Sequence, residues 1–287
     1  MIINWYPGHM AKAKRLIQEN LKIIDVVIEL VDARIPMSST NPMIKSLIGD
    51  KPSVVVLNKA DLADPAVLDE WVAYYKQQGR KVLALNSKGG KGVKQLISLV
   101  RSLAAPKLAR WKARGLKNRA VRTMILGIPN VGKSTLINKL SCRSAAKTAD
   151  KPGETKGKQW VHIGDQLDLL DTPGVLWPKL ENQVSAYRLA ATGAISDTVF
   201  DMETVIMQLI EQLSDQYPDE LKARYKLETL CDKPLDTIEA IGRKRGCIVS
   251  GGVVDLEKTY KLILKEFREG KIGAISLDRL GEWEGED

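Results

Sequence analysis

Gly127-Ile128-Pro129-Asn130-Val131-Gly132-Lys133-Ser134 reads G-x-x-x-x-G-K-S, the pattern of a phosphate-binding loop, and it decides the fold. Residues 121–126 before it are the apolar run of a buried strand. Residues 135–140 after it place Leu136, Ile137 and Leu140 on one helix face. Strand, glycine loop and helix form the setting in which backbone N–H groups and a helix N-terminus close on phosphate oxygens. Asn130, Val131, Gly132, Lys133, Ser134 and Thr135 are then the nucleotide-facing residues. Lys133 reaches the β- and γ-phosphates as a catalytic group, and the Ser134 hydroxyl ligates magnesium.

A chain of 287 residues has room for one large domain or two ordinary ones, and its composition is that of a globular protein. No run approaches the roughly 20 apolar residues of a membrane span. Residues 1–18 are basic and acid-free like a transit peptide, but they carry a motif of their own and are read as part of the protein. Cys142, Cys231 and Cys247 are scattered without metal-ligand spacing, as cytosolic free thiols are. The net charge of +9 is uneven: from Pro178 onward 15 Lys and Arg face 21 Asp and Glu, which leaves 29 against 14 before it. Lys107, Arg110, Lys112, Arg114, Lys117, Arg119 and Arg122 fall in one stretch without an acid. A first part this basic points to a polyanionic partner such as nucleic acid. The plainer alternative is scattered solubilising lysine.

Met10, Ala13, Ile17 and Leu21 recur at helical spacing, so residues 11–21 read as a helix after a turn at Trp5-Tyr6-Pro7-Gly8-His9-Met10. Apolar runs at 23–31, 54–57 and 82–85 read as buried strands, and 65–78 and 93–103 as helices. This alternation implies a parallel sheet covered on both faces. Residues 104–120 contain Pro106 and the basic run; a helix is compatible with them, but no periodicity demands a buried face. The polar segment 145–158, with Lys151-Pro152-Gly153-Glu154-Thr155, has little apolar anchoring. Strands at 159–163 and 166–170 turn at Gly164-Asp165, and the second ends at Asp171-Thr172-Pro173-Gly174. Beyond Pro178, amphipathic helices over 184–191, 202–213, 219–225, 235–243 and 256–269 suggest a second, mainly helical domain. Residues 280–287 read as an acidic, frayed end.

Two further motifs specify the nucleotide. Asn58-Lys59-x-Asp61 follows a strand. The Asp61 carboxylate can accept from the N1–H and exocyclic amine of guanine, a pair adenine does not offer. The Lys59 stem can lie over the base, and Asn58 can tie this loop to the phosphate loop. Such a site rejects mismatched bases by up to about 10⁴–10⁵. Asp171 at a strand end can reach magnesium, and the Gly174 N–H can bond the γ-phosphate and be released on hydrolysis. Thr155 is the candidate switch threonine that completes the magnesium shell and acts in catalysis. Asn86-Ser87-Lys88 is the candidate second base-contacting loop.

The order of these motifs is unusual. An ordinary G domain runs phosphate loop, switch threonine, D-x-x-G, then N-K-x-D; here the base motifs come first, as in a circularly permuted GTPase. The expected architecture is α/β: a permuted phosphate-loop GTPase domain with a parallel-dominated sheet over residues 1–177, including an N-terminal segment 1–22. A mainly α-helical domain follows over 178–287. That second part hangs directly from Gly174, so γ-phosphate release can pull on it.

Trp5-Tyr6-Pro7-Gly8-His9-Met10-Ala11-Lys12-Ala13, Asp32-Ala33-Arg34-Ile35-Pro36 and the permuted order together resemble the ribosome biogenesis GTPase A family, essentially over the whole chain. The resemblance implies a bacterial or organellar factor that binds the large ribosomal subunit precursor late in assembly, through RNA and protein, and hydrolyses GTP there. The start at this motif points to a cytoplasmic bacterial protein, expected to be a monomer without a membrane. The water-orienting glutamine of Ras-like enzymes is replaced by Val175 and Leu176, and the family implies His9 in catalysis. An imidazole with an ordinary pKa near 6.5 can orient water or relay a proton; the alternative is that His9 packs the N-terminal turn or contacts RNA. Asn130 after Pro129 resembles potassium-stimulated GTPases, in which it helps hold K⁺; the alternative is a turn-forming residue. Arg243-Lys244-Arg245 reads as an RNA contact or as a helix end favoured by its dipole. An RNA-placement factor that uses GTP as an occupancy signal, or a permuted GTPase of another RNA such as the small subunit, are the rival readings.

Overall fold

The computed structural model describes residues 7–115, 119–141, 159–172, 174, 176 and 182–283, with side chains from Lys14 onward and without that of Gln159. Thr155, Cys142 and the polar segment 145–158 lie outside the described residues, as do Pro173 and Val175.

The chain opens with α1 (Pro7–Leu21), β1 (Val26–Asp32), α2 (Pro42–Ile48), β2 (Ser53–Asn58), α3 (Pro65–Gln77) and β3 (Lys81–Leu85). There follow α4 (Val93–Ala113), β4 (Val121–Gly127), α5 (Lys133–Ser141), β5 (Gln159–Ile163) and β6 (Leu167–Asp171). Five helices come next: α6 (Gln183–Thr192), α7 (Met202–Gln216), α8 (Pro218–Tyr225), α9 (Pro234–Lys244) and α10 (Leu256–Arg268). The strands form one sheet in the order β3-β2-β1-β4-β6-β5, parallel except where β5 pairs antiparallel with β6.

The central strands are apolar on both sides because both faces are covered. Val26, Ile28, Leu30, Val54 and Val56 point into the cluster that holds Leu96 and Val100 of α4 and Leu136 of α5. On the other face Val27, Met124 and Leu170 meet Ile17 of α1 and Ile44 of α2, while Val55 and Leu57 meet Val67 and Trp71 of α3. Glu29 breaks the apolar run of β1; it is buried and paired with Arg80 at 2.5 Å. The first cluster continues through Leu176 into α6–α10, so one apolar core joins the sheet to the later helices.

Four departures from the sequence reading have physical causes. The helix α1 begins at Pro7, where a turn was expected, since proline is well placed at a first helical position. Residues 42–48, to which no element was assigned, form α2, capped by the Asn41 side chain on the Met43 N–H with Pro42 behind it. The helix α4 runs through Pro106 to Ala113. An interior proline costs about 3 kcal/mol. Against it stand the burial of Trp111, at about 2–3 kcal/mol, and Lys107 and Arg119 over its ring, with 5.3 and 4.1 Å to the centroid. The C-terminal stretch expected to fray is anchored as far as Trp283: Leu280 and Trp283 pack beside Trp71, and Glu282 pairs with Arg188 at 2.6 Å.

Candidate nucleotide-binding site

Parallel strands put Asp32, Asn58, Leu85, Gly127 and Asp171, the last residues of β1, β2, β3, β4 and β6, on one edge of the sheet. From β1 the order runs outward one way to β2 and β3; from β4 it runs the other way to β6. The crevice between such halves is where open α/β sheets bind ligands, and the loop 127–134 sits there.

Asn58 joins three loops at this edge. Its Nδ2 donates to the Val131 carbonyl of the phosphate loop (2.7 Å), while its Oδ1 accepts from the Ser87 N–H (3.1 Å) and the Ser87 Oγ (2.7 Å). Gly132 has φ +102°, and a Cβ there would run into the Asn58 amide, so glycine is required on both counts. Lys59 adopts a left-handed backbone (φ 61°) and its Nζ donates to Asp32 Oδ2 at 2.9 Å. Asp61 and Lys88 are exposed at the rim, and Asn86 is half-buried and caps the turn through the Gly89 N–H (2.7 Å).

At the phosphate end, the Lys133 ammonium is turned back on its own loop, donating to the Gly127 (3.2 Å) and Ile128 (2.7 Å) carbonyls. Burial pushes its pKa down to about 8, with Asp171 opposing. Burial likewise raises the Asp171 carboxyl, with Lys133 and the Thr172 N–H opposing. Asp171 Oδ1 is buried with no hydrogen-bond partner among the described residues. A buried carboxylate oxygen without a donor fits a cation, and the half-buried Ser134 at the start of α5 belongs to the same edge. Thr135 is half-buried behind it. Gly174 packs against the loop so closely that a Cβ would lie 2.7 Å from the Pro129 backbone and 2.9 Å from Lys133 Nζ.

The structure therefore brings together Asn58, Lys59, Asn86, Ser87, Val131, Gly132, Lys133, Ser134, Asp171 and Gly174. His9 lies within α1, and its side chain is outside the described residues, as is Thr155. Asn130 has φ 56°, and its Nδ2 donates to the Gly193 carbonyl at the end of α6 (2.8 Å), a link that the motif did not announce. His162 is exposed on β5 and bonded to Asp168 at 2.6 Å. Of Arg243-Lys244-Arg245, Arg243 pairs with Glu239, and Arg245 shares the buried Glu266 with Arg224, so two of the three cations already have carboxylate partners.

The sequence reading gave Asp32 and Arg34 no chemistry, although Asp32-Ala33-Arg34-Ile35-Pro36 was one of the stretches that carried the family resemblance. Asp32 Oδ1 accepts from the Arg34 Nε (2.9 Å) and N–H (3.1 Å), and Oδ2 from the Arg34 Nη2 (2.7 Å) as well as from Lys59. Burial alone would raise the Asp32 carboxyl, but Arg34 and Lys59 together hold it well below the usual carboxylate range.

The chain is similar over nearly its full length to proteins of known name. A family described as "50S ribosome-binding GTPase" matches residues 122–235. The ribosome biogenesis GTPase A of Priestia megaterium is 50% identical over 285 residues, 99% of either chain. That of Thermotoga maritima is 31% identical over 277 residues, 96% of this chain and 94% of that one. The mitochondrial ribosome-associated GTPase 1 of Mus musculus is 32% identical, over 97% of this chain and 90% of its own. Among solved structures, GNP-bound YlqF from T. maritima matches with a TM-score of 0.69 at 27% identity, over 93% of this chain and 98% of that one.

Proposed function

Because the chain belongs to the ribosome biogenesis GTPase A family, we propose that it binds precursors of the large ribosomal subunit in its GTP form, late in their assembly, and leaves after hydrolysis. The observation that carries the nucleotide half of this reading is Asn58, which ties the base motif, the Ser87 loop and the phosphate loop into one site. Asp61 reads the guanine edge, Lys59 covers its face, and Ser87 and Lys88 close the far side. Lys133 exchanges its carbonyl contacts for β- and γ-phosphate oxygens, and Gly174 follows the γ-phosphate.

Ser134 and Asp171, with Thr155, would hold magnesium, whose charge would offset that of the phosphates. The orphaned Asp171 oxygen supports this donor set. Asn130 is the candidate potassium residue and His9 the candidate catalytic group for water. The division at 177/178 into a G domain and a helical ribosome-contacting domain, a monomeric state and a cytoplasmic setting belong to the same reading. Among the described residues no helix is long and apolar enough to cross a membrane.

The RNA contact is supported by charge. No acid occurs between Glu70 and Asp150, a span with 18 Lys and Arg. The helix α4 exposes Lys94, Arg101, Arg110 and Lys112 to solvent, and Arg114 follows its end; none is paired with a carboxylate among the described residues. Lys94, Arg101 and Lys112 share one side of the helix at this spacing; such cations suit a phosphate backbone, and subunit binding should weaken steeply with salt as counterions are released.

The deciding experiment is GTP hydrolysis in potassium and in sodium buffer, with and without purified large subunits. Stimulation by large subunits, increased by potassium, is expected. No stimulation in any combination would overturn the ribosome-triggered enzyme and leave a placement factor or a different RNA partner. His9→Ala is expected to keep nucleotide binding and lose the stimulated turnover.

A further inference from the structure

The buried Asp32–Arg34 pair at the end of β1 has no part in the functions assigned so far. Asp32 is 2% exposed and Arg34 1%, yet both are charged. Two cations satisfy one carboxylate: Arg34 grips it through both oxygens, and Lys59 takes Oδ2 from the other side. The backbone reinforces the arrangement. Asp32 and Asn58 are register partners in the sheet, the Ala33 N–H donates to the Asn58 carbonyl (2.8 Å), and the Asp32 N–H to Ser39 Oγ (3.0 Å). Lys59 is anchored at both ends, by its left-handed backbone and by its ammonium on Asp32, which restricts the course of its four-carbon stem.

The other side of the cluster faces the C-terminal part of the chain. The Arg34 carbonyl accepts from the Leu277 N–H (2.8 Å), and the Arg34 guanidinium lies 5.5 Å from the centroid of the Phe267 ring. The Leu62 carbonyl, one residue past Asp61, accepts from the Ile275 N–H (2.9 Å). Residues 275–277 thus brace the base loop directly at Leu62 and through Arg34 at Asp32.

We propose that Asp32 is a positioning residue for guanine nucleotides: its carboxylate, held by Arg34, fixes the Lys59 stem against the face of the base. The proposal rests on the reading of Asn58-Lys59-x-Asp61 as the base site. A stem that covers the face reads no base edge. Its loss should weaken every purine nucleotide alike, whereas loss of Asp61 should change the ranking of bases.

The test is a double-mutant cycle on the full chain, read by GDP, IDP and XDP affinity together with the thermal midpoint. Asp32→Asn is expected to weaken all three diphosphates about tenfold, by a common factor, and to have no further effect in a Lys59→Met background. Asp32→Asn/Arg34→Met removes both buried charges and serves where the single variant leaves Arg34 too costly to bury. Additive losses in the cycle would overturn the proposal, because Asp32 would then act through the fold and not through Lys59. Full GDP affinity in Lys59→Met, a half-buried position, would overturn it without any Asp32 variant. Asp61→Asn separates the two layers: if it leaves the GDP-to-XDP ranking unchanged, the base-site reading fails, whatever Asp32→Asn does.

Discussion

The two ends of the candidate nucleotide site are built differently. At the base end the protein's own groups satisfy one another: Asn58 is bonded to Val131 and Ser87, and Lys59 to Asp32. At the phosphate end Lys133 donates to carbonyls of its own loop, and Asp171 keeps a buried oxygen without a donor among the described residues. The base end is thus organised by protein contacts, which lowers the entropy a purine must overcome on binding. The phosphate end holds charges whose best partners are a polyphosphate and a cation, so occupancy there can change local structure. The Gly174 contact with Pro129 and Lys133 lies in that responsive half, immediately before the helices that carry the rest of the chain.

Substitutions can break this contrast. The largest effect should come from Lys133→Ala, which is expected to lower GTP hydrolysis by at least about 10³-fold; phosphate release with large subunits present measures it. Next, Asp61→Asn should weaken GTP by about 10²-fold or more and favour XTP, since an amide offers a donor where guanine also donates. Competition binding with the two nucleotides decides this, and unchanged selectivity would remove Asp61 from the base site. Asn58→Ala should act chiefly on stability. It leaves the Val131 carbonyl and the Ser87 donors without partners, so a loss of about 2–4 kcal/mol in urea unfolding is expected. A much smaller loss would mean that the base end is less preorganised than its hydrogen bonds imply.

The smallest effect is one of pH. A carboxyl with a folded pKa below its unfolded value contributes stability that is complete above the unfolded value and is lost as pH falls through the folded one. Asp32 is held low by Arg34 and Lys59, so the difference in thermal midpoint between the wild type and Asp32→Asn/Arg34→Met should stay constant from pH 7 to 5. It should shrink only below about pH 4. A difference that shrinks already near pH 6 would show that another group sets it.

Much of the fold was legible because its signals are local. The phosphate loop needs glycines at fixed positions, and a parallel sheet needs apolar runs between amphipathic helices, so strands, helices and the permuted order could be placed along the chain. Failures came where side-chain contacts outweighed a local rule. Pro106 signals a helix end, but Trp111 gains enough from burial and from Lys107 and Arg119 to carry α4 past it. The acidic tail reads as frayed, but Arg188 meets both Asp278 (3.0 Å) and Glu282 (2.6 Å), and Ser38 bonds Asp278 through its N–H and its hydroxyl (2.7 Å each). Within the candidate site the glycine loop and Asn58-Lys59-x-Asp61 could be found by spacing. Asp32 and Arg34 stand in a stretch that carries the family resemblance, but their sequence context assigns them no chemistry.

Motif spacing alone nominates the residues for phosphate and guanine, and the chain itself carries their order and the imbalance of charge between its two parts. Motif spacing and composition are properties of the chain, and they survive without coordinates. Tertiary contacts alone reveal that Lys59 is anchored on Asp32, that Asn130 reaches Gly193, and that residues 275–278 return to brace the base loop. Each of these contacts joins positions far apart in sequence. A hydrogen bond or a buried ion pair depends on distance and angle in space, and those exist only once the sheet has put the strand ends side by side.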